Sequence, residues 1–345
     1  MSSLVWDALI AVYPFFSGIA AGAYITSTLP VLFKQDELKE ISLLALLISW
    51  ATLIISPVPL LLHLGSPWRA GNIFAFPQAS SPMALFGYSW IIFLVLTTIS
   101  IIVYNWFHSA PWFKSLSTVL AGIGIIVAIL FSGYIGFLFG SNKAVELWYN
   151  PIIPVSFILS AILSGLALVA ILYVIVWRLS KMEVKKATLN TLGRIVWWIL
   201  LIEVVLVGVE ILVRTYMQTA GWRALYNVLV EQLGLSYFVG VLILGGIIPL
   251  ITLLSKRVTS SAGLMSLISL LILIGIFAYK WNLVIGGQLP LEVSPYIYTT
   301  ATYTVPLIGH GSIFWISAIF VLWAFLISLA LAVFSNWRMG VKIYG

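Results

Sequence analysis

Three ionisable residues stand at helical spacing inside one apolar run: Glu203, Glu210 and Arg214 in LGRIVWWILLIEVVLVGVEILVRTY. Seven residues return to nearly the same face of a helix, and four bring Glu210 within ion-pairing reach of Arg214. A carboxylate in hydrocarbon costs roughly 3 kcal/mol, so such groups line a wet cavity, pair, or relay protons. Pairing with Arg214 accounts for Glu210 as well as a relay does. Glu203 has only hydroxyls and backbone near it on its own helix, which points to a proton relay or a ligand contact. A second concentration of chemistry is HLGSPWRAGN at 63–72. Gly65 and Pro67 stop a helix there, Trp68 suits the headgroup layer, and Arg69 can anchor to phosphate. That account leaves over His63 and the polar tail from Asn72 to SSPM at 80–83. An imidazole takes up and releases protons near neutral pH, which makes His63 the natural proton acceptor.

Other chemistries are excluded by what is missing. The three histidines, His63, His108 and His310, fall near expected helix ends on both sides of the membrane, so no pair suits a bis-histidine haem. No histidine and carboxylate pair has metal-ligand spacing, and GxxxxGK[ST] does not occur. With no cysteine, the chain holds neither a disulfide nor an iron–sulfur cluster. The expectation is a chain without haem or metal of its own.

The elements that must position these residues follow from composition. Hydrophobic residues make up 62% and charged residues 8% of 345, with a mean hydropathy of +1.14. A soluble domain keeps about 25% charged residues, so this is a polytopic membrane protein. Apolar runs of about 20 residues, enough to cross a core of about 30 Å as a helix, recur along it. Nine are expected, at 10–33, 41–63, 84–107, 116–140, 152–178, 192–217, 235–254, 262–285 and 311–334. They lack the period-two alternation of a barrel wall. The first run has no basic leader or small-residue cleavage motif and is expected to be a retained helix.

With the N-terminus outside, 12 of the 17 Lys and Arg fall in inward connections and 5 outside: Arg69, Lys143, Arg214, Arg223 and Lys280. The partition favours N-out and C-in. The net charge of +7 is spread over several loops and reads as a topology signal, not a nucleic-acid footprint. The fold class expected is all-α: a first four-helix bundle at 1–140, a second at 141–290, and an outer loop with a ninth helix at 291–345. The small-residue runs PFFSGIAAG at 14–22 and PVSFILSAILSG at 154–165 suit either a parallel repeat or ordinary close packing. The longer connections, 64–83, 141–151, 218–234 and 286–310, lie on the outer side, which is the expected working face.

HLGSPWRAGNIF followed by SSPM resembles the signature of the NrfD/PsrC family, the integral membrane subunits of polysulfide reductase-like and nitrite reductase-like respiratory complexes. FFSGIAAGAY at 15–24, FSGYIG at 131–136, KAVELWYNPIIPVSFILSAILSG at 143–165 and KWNLVIGGQ at 280–288 agree with it. The resemblance spans nearly the whole chain. It implies two four-helix bundles in the cytoplasmic membrane and a menaquinone-like quinone site in the first bundle near the outer face. It also implies docking onto an iron–sulfur subunit that exchanges electrons with a molybdopterin catalytic subunit. In the family pattern a polar side chain on helix one, before the small-residue run, and a tyrosine in a Tyr-Ser/Thr-Gly motif on helix four hydrogen-bond the quinone. Tyr13 occupies the first place, with Ser17 one turn on. At the second, Phe131 precedes Ser132 and Gly133, so the hydroxyl is missing, and Tyr134 is the substitute.

The expected function is a quinone-reactive membrane subunit that oxidises quinol and passes electrons to an outer iron–sulfur partner, of sulfur or polysulfide reductase type. It is not an enzyme alone. Tyr13, Ser17, His63, Ser132 and Tyr134 are the quinone-binding candidates. Trp68, Arg69 and Asn72 would form the rim or meet the partner, and Glu203, Glu210 and Arg214 would carry protons. Whether that movement stores energy stays open. A secondary transporter and a purely structural anchor are the alternatives, although a transporter places its polar groups near mid-membrane in both halves.

Overall fold

Twenty apolar residues in hydrocarbon must satisfy their own backbone donors and acceptors, and the helix is how one segment does so. The computed structural model describes residues 6, 8–218, 222, 226, 230, 232–288 and 310–334. Among these, nine helices are long and apolar enough to cross a membrane, and there is no strand. Their main helical segments are α1 (Ala8–Leu32), α2 (Ser42–Ile55, within the span Asp36–His63), α3 (Pro82–Trp106), α4 (Phe113–Gly140) and α5 (Ile153–Leu179), then α6 (Lys186–Met217), α7 (Leu235–Ile247, within the span Leu235–Thr252), α8 (Ala262–Gly286) and α9 (His310–Val333). α7 has the wider π winding and continues as an α-helix over Ile248–Thr252. The chain is a multi-pass membrane protein.

Local chemistry sets where these helices break. Pro57 has no N–H, so the Leu53 carbonyl loses its helical donor and accepts instead from Trp90 Nε1 at 2.8 Å and Ser56 Oγ at 3.0 Å. The chain resumes as the short helix Val58–His63 and ends at Gly65, whose φ of 65° suits glycine. The stretch expected as a loop at 64–83 holds two further helical turns, Pro67–Gly71 and Asn72–Ala75. SSPM then opens α3: the Ser81 hydroxyl accepts from the Ala84 N–H, and Pro82 takes a first-turn position where its missing donor costs nothing.

α1 is buried around its whole circumference from Ala8 to Thr28, packed by α2, α4, α5 and α8. A helix apolar on all sides belongs inside, and its small residues decide what lies closest. A Cβ on Gly22 would overlap the Ala161 carbonyl, and one on Gly165 would overlap the Gly22 backbone. The two small-residue runs therefore pack on each other, with α1 and α5 running parallel. Tyr24 ties α1 sideways: its hydroxyl donates to the Leu120 carbonyl at 3.0 Å and lies 3.1 Å from Ser100 Oγ.

A polar knot joins the α1–α2 connection to α5 and α6. Glu40 Oε1 accepts from the Tyr173 hydroxyl at 2.6 Å and Thr188 Oγ1 at 2.7 Å, while Lys185 Nζ lies 3.2 Å from Oε2. Tyr173 is fully buried, so removing its acceptor leaves an unsatisfied donor. Glu40→Ala is expected to cost about 3 kcal/mol, read as a lower unfolding midpoint in detergent, with Glu40→Gln closer to the parent.

Lys280, counted among the outward charges and inside the expected run 262–285, lies within α8 and is 1% exposed, so it is no surface charge. The lysine counts in the mean hydropathy of its run as one residue among many, so the run still reads as apolar. Arg214, expected in the run 192–217, belongs to α6. The expected connections at 218–234 and 286–310 fall mostly outside the described residues, as do Arg223, Arg338 and Lys342.

Candidate functional site

Near the start of α1 an aromatic column forms between α1, α3 and α4. Tyr13 is 4% exposed and meets Phe86 edge-on, with ring centroids 5.9 Å apart. Phe86 stacks on Phe131 at 5.6 Å and 19°, and Phe93 meets Phe131 at 5.5 Å. Phe131, which brings no hydroxyl, thus stands inside this column. One turn beyond Tyr13, Ser17 is fully enclosed, and its Oγ has no hydrogen-bond partner among the described residues. A serine hydroxyl in a helix usually bonds back to the preceding turn, as Thr26 does to Gly22 at 2.8 Å. Ser17 is an orphaned donor one turn beyond Tyr13 on the same helix.

The other candidates lie around this column in different ways. Tyr134 is half-buried, and its hydroxyl donates to the Pro82 carbonyl at 3.0 Å, fixing α4 to the start of α3. Ser132 turns toward α5, where its Oγ donates to the Phe157 carbonyl at 3.1 Å. His63 is half-buried at the end of Val58–His63, and that segment packs on the first turns of α1 through Val58, Leu62, Leu9 and Val12. Trp68, Arg69 and Asn72 are exposed, with Trp68 at 76%. Phe74 and Phe76 are exposed alongside them.

The charged residues of α6 make a separate centre. Arg214 Nε donates to Glu210 Oε1 at 3.1 Å, and the Asn150 side-chain amide donates to the same oxygen. Both charged side chains are largely covered, at 12% and 21% exposure. Glu210 is thus held by two partners. Glu203 is less constrained: Ser156 on α5 faces it, and its Oε2 is enclosed without a hydrogen-bond partner among the described residues. Lys280, inside the expected helical run 262–285, has its Nζ 3.0 Å from the centroid of the Phe157 ring.

Two sequence motifs meet nearby. Trp148 of KAVELWYN donates from Nε1 to the Leu283 carbonyl of KWNLVIGGQ at 2.6 Å and stacks on Trp6 at 4.9 Å. Gln288 clasps the Trp6 backbone from both sides, accepting at 2.7 Å and donating at 3.0 Å. The signal for Lys280 was present in the sequence as a lysine with eighteen helical residues before it and an apolar segment after it. Asn150 and Ser156 carried no such signal, since only tertiary contact gives them partners.

Comparison with known proteins bears on the whole chain. The family model described as "Polysulphide reductase, NrfD" matches residues 1–292. The Hdr-like menaquinol oxidoreductase integral membrane subunit of Archaeoglobus fulgidus is 23% identical over 98% of this chain and 84% of its own length. A selenate reductase subunit of Mesobacillus selenatarsenatis is 25% identical over 84% of this chain and 75% of its own. A protein NrfD homolog of Haemophilus influenzae is 27% identical over 83% of this chain and 95% of its own.

Proposed function

We propose, because the chain belongs to the polysulphide reductase NrfD family, that it is the quinone-reactive membrane subunit of a respiratory oxidoreductase. In this reading it oxidises menaquinol at the outer side of the membrane, with the N-terminus out. The electrons pass to an iron–sulfur subunit and on to a molybdopterin catalytic subunit. Selenate reductase and menaquinol oxidoreductase in the names of its relatives support both ends of that route. The observation that carries the site is the enclosed, unpartnered Ser17 hydroxyl one turn from Tyr13, among the described residues.

A quinol supplies two electrons and two protons. The residues of this chain do the rest. Tyr13 and Ser17 would hold the oxygens from α1, and Phe86 and Phe131 would wall the ring. Tyr134 keeps a lone pair while it donates to Pro82, and Ser132 braces α4 against α5. His63, beside the first turns of α1, would take a proton toward the outer surface. The exposed stretch around Trp68, Arg69 and Asn72 would form the rim that meets the iron–sulfur partner. Glu203 would carry protons in the second group of four helices, with Glu210 and Arg214 flanking it. Glu203→Gln is expected to slow quinol turnover roughly tenfold with the complex still assembled; unchanged turnover and unchanged proton uptake would end the relay reading.

Photolabelling tests the site. A photoreactive menaquinone analogue added to the membrane-embedded protein, followed by peptide mapping, is expected to label α1 or α4 near Tyr13 and Phe131, in competition with menaquinone. Labelling confined to other helices, or none that menaquinone displaces, would refute it.

A further inference from the structure

Lys280 and Glu203 form a centre that the quinone site does not use. A buried lysine and glutamate ordinarily close into a hydrogen-bonded ion pair, because direct contact best offsets the cost of leaving water. These two do not. Lys280 Nζ lies on the face of the Phe157 ring and 5.0 Å from the centroid of Tyr279. It has no hydrogen-bond partner among the described residues, and neither has Glu203 Oε2. Each nevertheless has the other as a charged neighbour. The ring face steadies an ammonium without consuming its donors. An ammonium and a carboxylate oxygen are left enclosed, each without a hydrogen bond among the described residues.

The surroundings narrow what such a centre can do. Ser156 and Phe157 face it from α5, Tyr279 from α8, Tyr237 from α7, and Glu210 with Arg214 from further along α6. Arg214 and Asn150 already hold Glu210. Among the described residues, Lys280 is the cation left for Glu203. Moving a proton from Nζ to Oε2 breaks an N–H bond, forms an O–H bond and leaves the electron pair on nitrogen. The pair has zero net charge before and after, so the low-dielectric interior does not oppose the transfer as it would oppose a lone charge.

We propose that Glu203 and Lys280 together hold one exchangeable proton inside the second group of helices, with Lys280 as the residue that sets when Glu203 carries it. This rests on the reading of Glu203 as a proton carrier and adds the partner that makes release possible. The ligand of the site is a proton, with water as its vehicle.

Infrared difference spectroscopy tests it on the full complex in lipid nanodiscs, with pH steps and no quinol, so that failure of the quinone reading leaves the result standing. The parent is expected to show a carboxylic-acid C=O band that rises and falls with pH and is lost in Glu203→Gln. Lys280→Met is expected to leave that band present and constant across the range, since an unpaired buried carboxyl keeps its proton. Lys280→Arg is expected to abolish it, because a guanidinium does not give up its proton. Should Lys280→Met fail to assemble, the parent band and the Lys280→Arg variant decide. A parent without a titrating Glu203 band, or one whose titration is the same in either Lys280 variant, overturns the proposal.

Discussion

Tyr13→Phe lowers quinol-driven reduction of the iron–sulfur partner by roughly ten- to a hundredfold, and adding His63→Ala lowers it roughly a further hundredfold. The first change removes one oxygen and leaves the ring in its edge-on contact with Phe86, so packing is preserved. What it takes away is a hydrogen-bond partner in an enclosed aromatic setting, where an unmade bond costs about 1–3 kcal/mol, and about 1.36 kcal/mol is tenfold in rate. Phe131, stacked on Phe86, brings no hydroxyl that could take over the lost bond. His63 acts differently. It lies half-buried beside the first turns of α1, and its removal takes away a proton acceptor without opening the core. Stopped-flow absorbance of the clusters, with menaquinol in excess, separates the two: Tyr13→Phe raises the quinol concentration needed, while His63→Ala lowers the limiting rate.

Gly22→Leu leaves little or no assembled protein in the membrane. The Cβ alone would overlap the Ala161 carbonyl, and the neighbouring atoms are backbone, which cannot rotate out of the way. Inserting four carbons between α1 and α5 must separate the two helices that bury most of each other, at a cost of about 3 kcal/mol or more. Gly122→Ala on α4 is the matched control, since a Cβ there meets nothing within 4 Å. Its expected effect is within about 0.5 kcal/mol. Fluorescence-detected size-exclusion of detergent extracts reads both: a sharp peak for Gly122→Ala, and an aggregated or absent one for Gly22→Leu.

Much of the fold was legible because hydrophobic length is a one-dimensional signal. Each expected run lies within a few residues of its helix, as 84–107 does against Pro82–Trp106. The break at Pro57 was hidden inside the run 41–63, because apolarity continues across a proline that interrupts only the hydrogen-bond ladder. The site was legible in part. Spacing alone brought Glu210 to Arg214, since four residues on one helix need no tertiary knowledge. It gave no hint that Asn150 reaches the same carboxylate from another element. The burial of Lys280 was not legible, because a single lysine near the end of an apolar run looks the same whether it snorkels outward or turns onto a ring face. Ser132 turned out to bond the Phe157 carbonyl, a choice made by the rotation of α4 against α5 that no pattern within α4 encodes.

The most direct test of quinone reactivity is electron transfer itself. The protein is purified from its own membrane with whatever partners remain bound, mixed anaerobically with menaquinol, and followed by the visible bleaching and paramagnetic signal of the iron–sulfur clusters. Cluster reduction on the timescale of turnover, lost in Tyr13→Phe with His63→Ala and retained in Gly122→Ala, is the predicted result. Clusters that a chemical reductant reduces but menaquinol does not, in a complex whose subunits are all present, would contradict it.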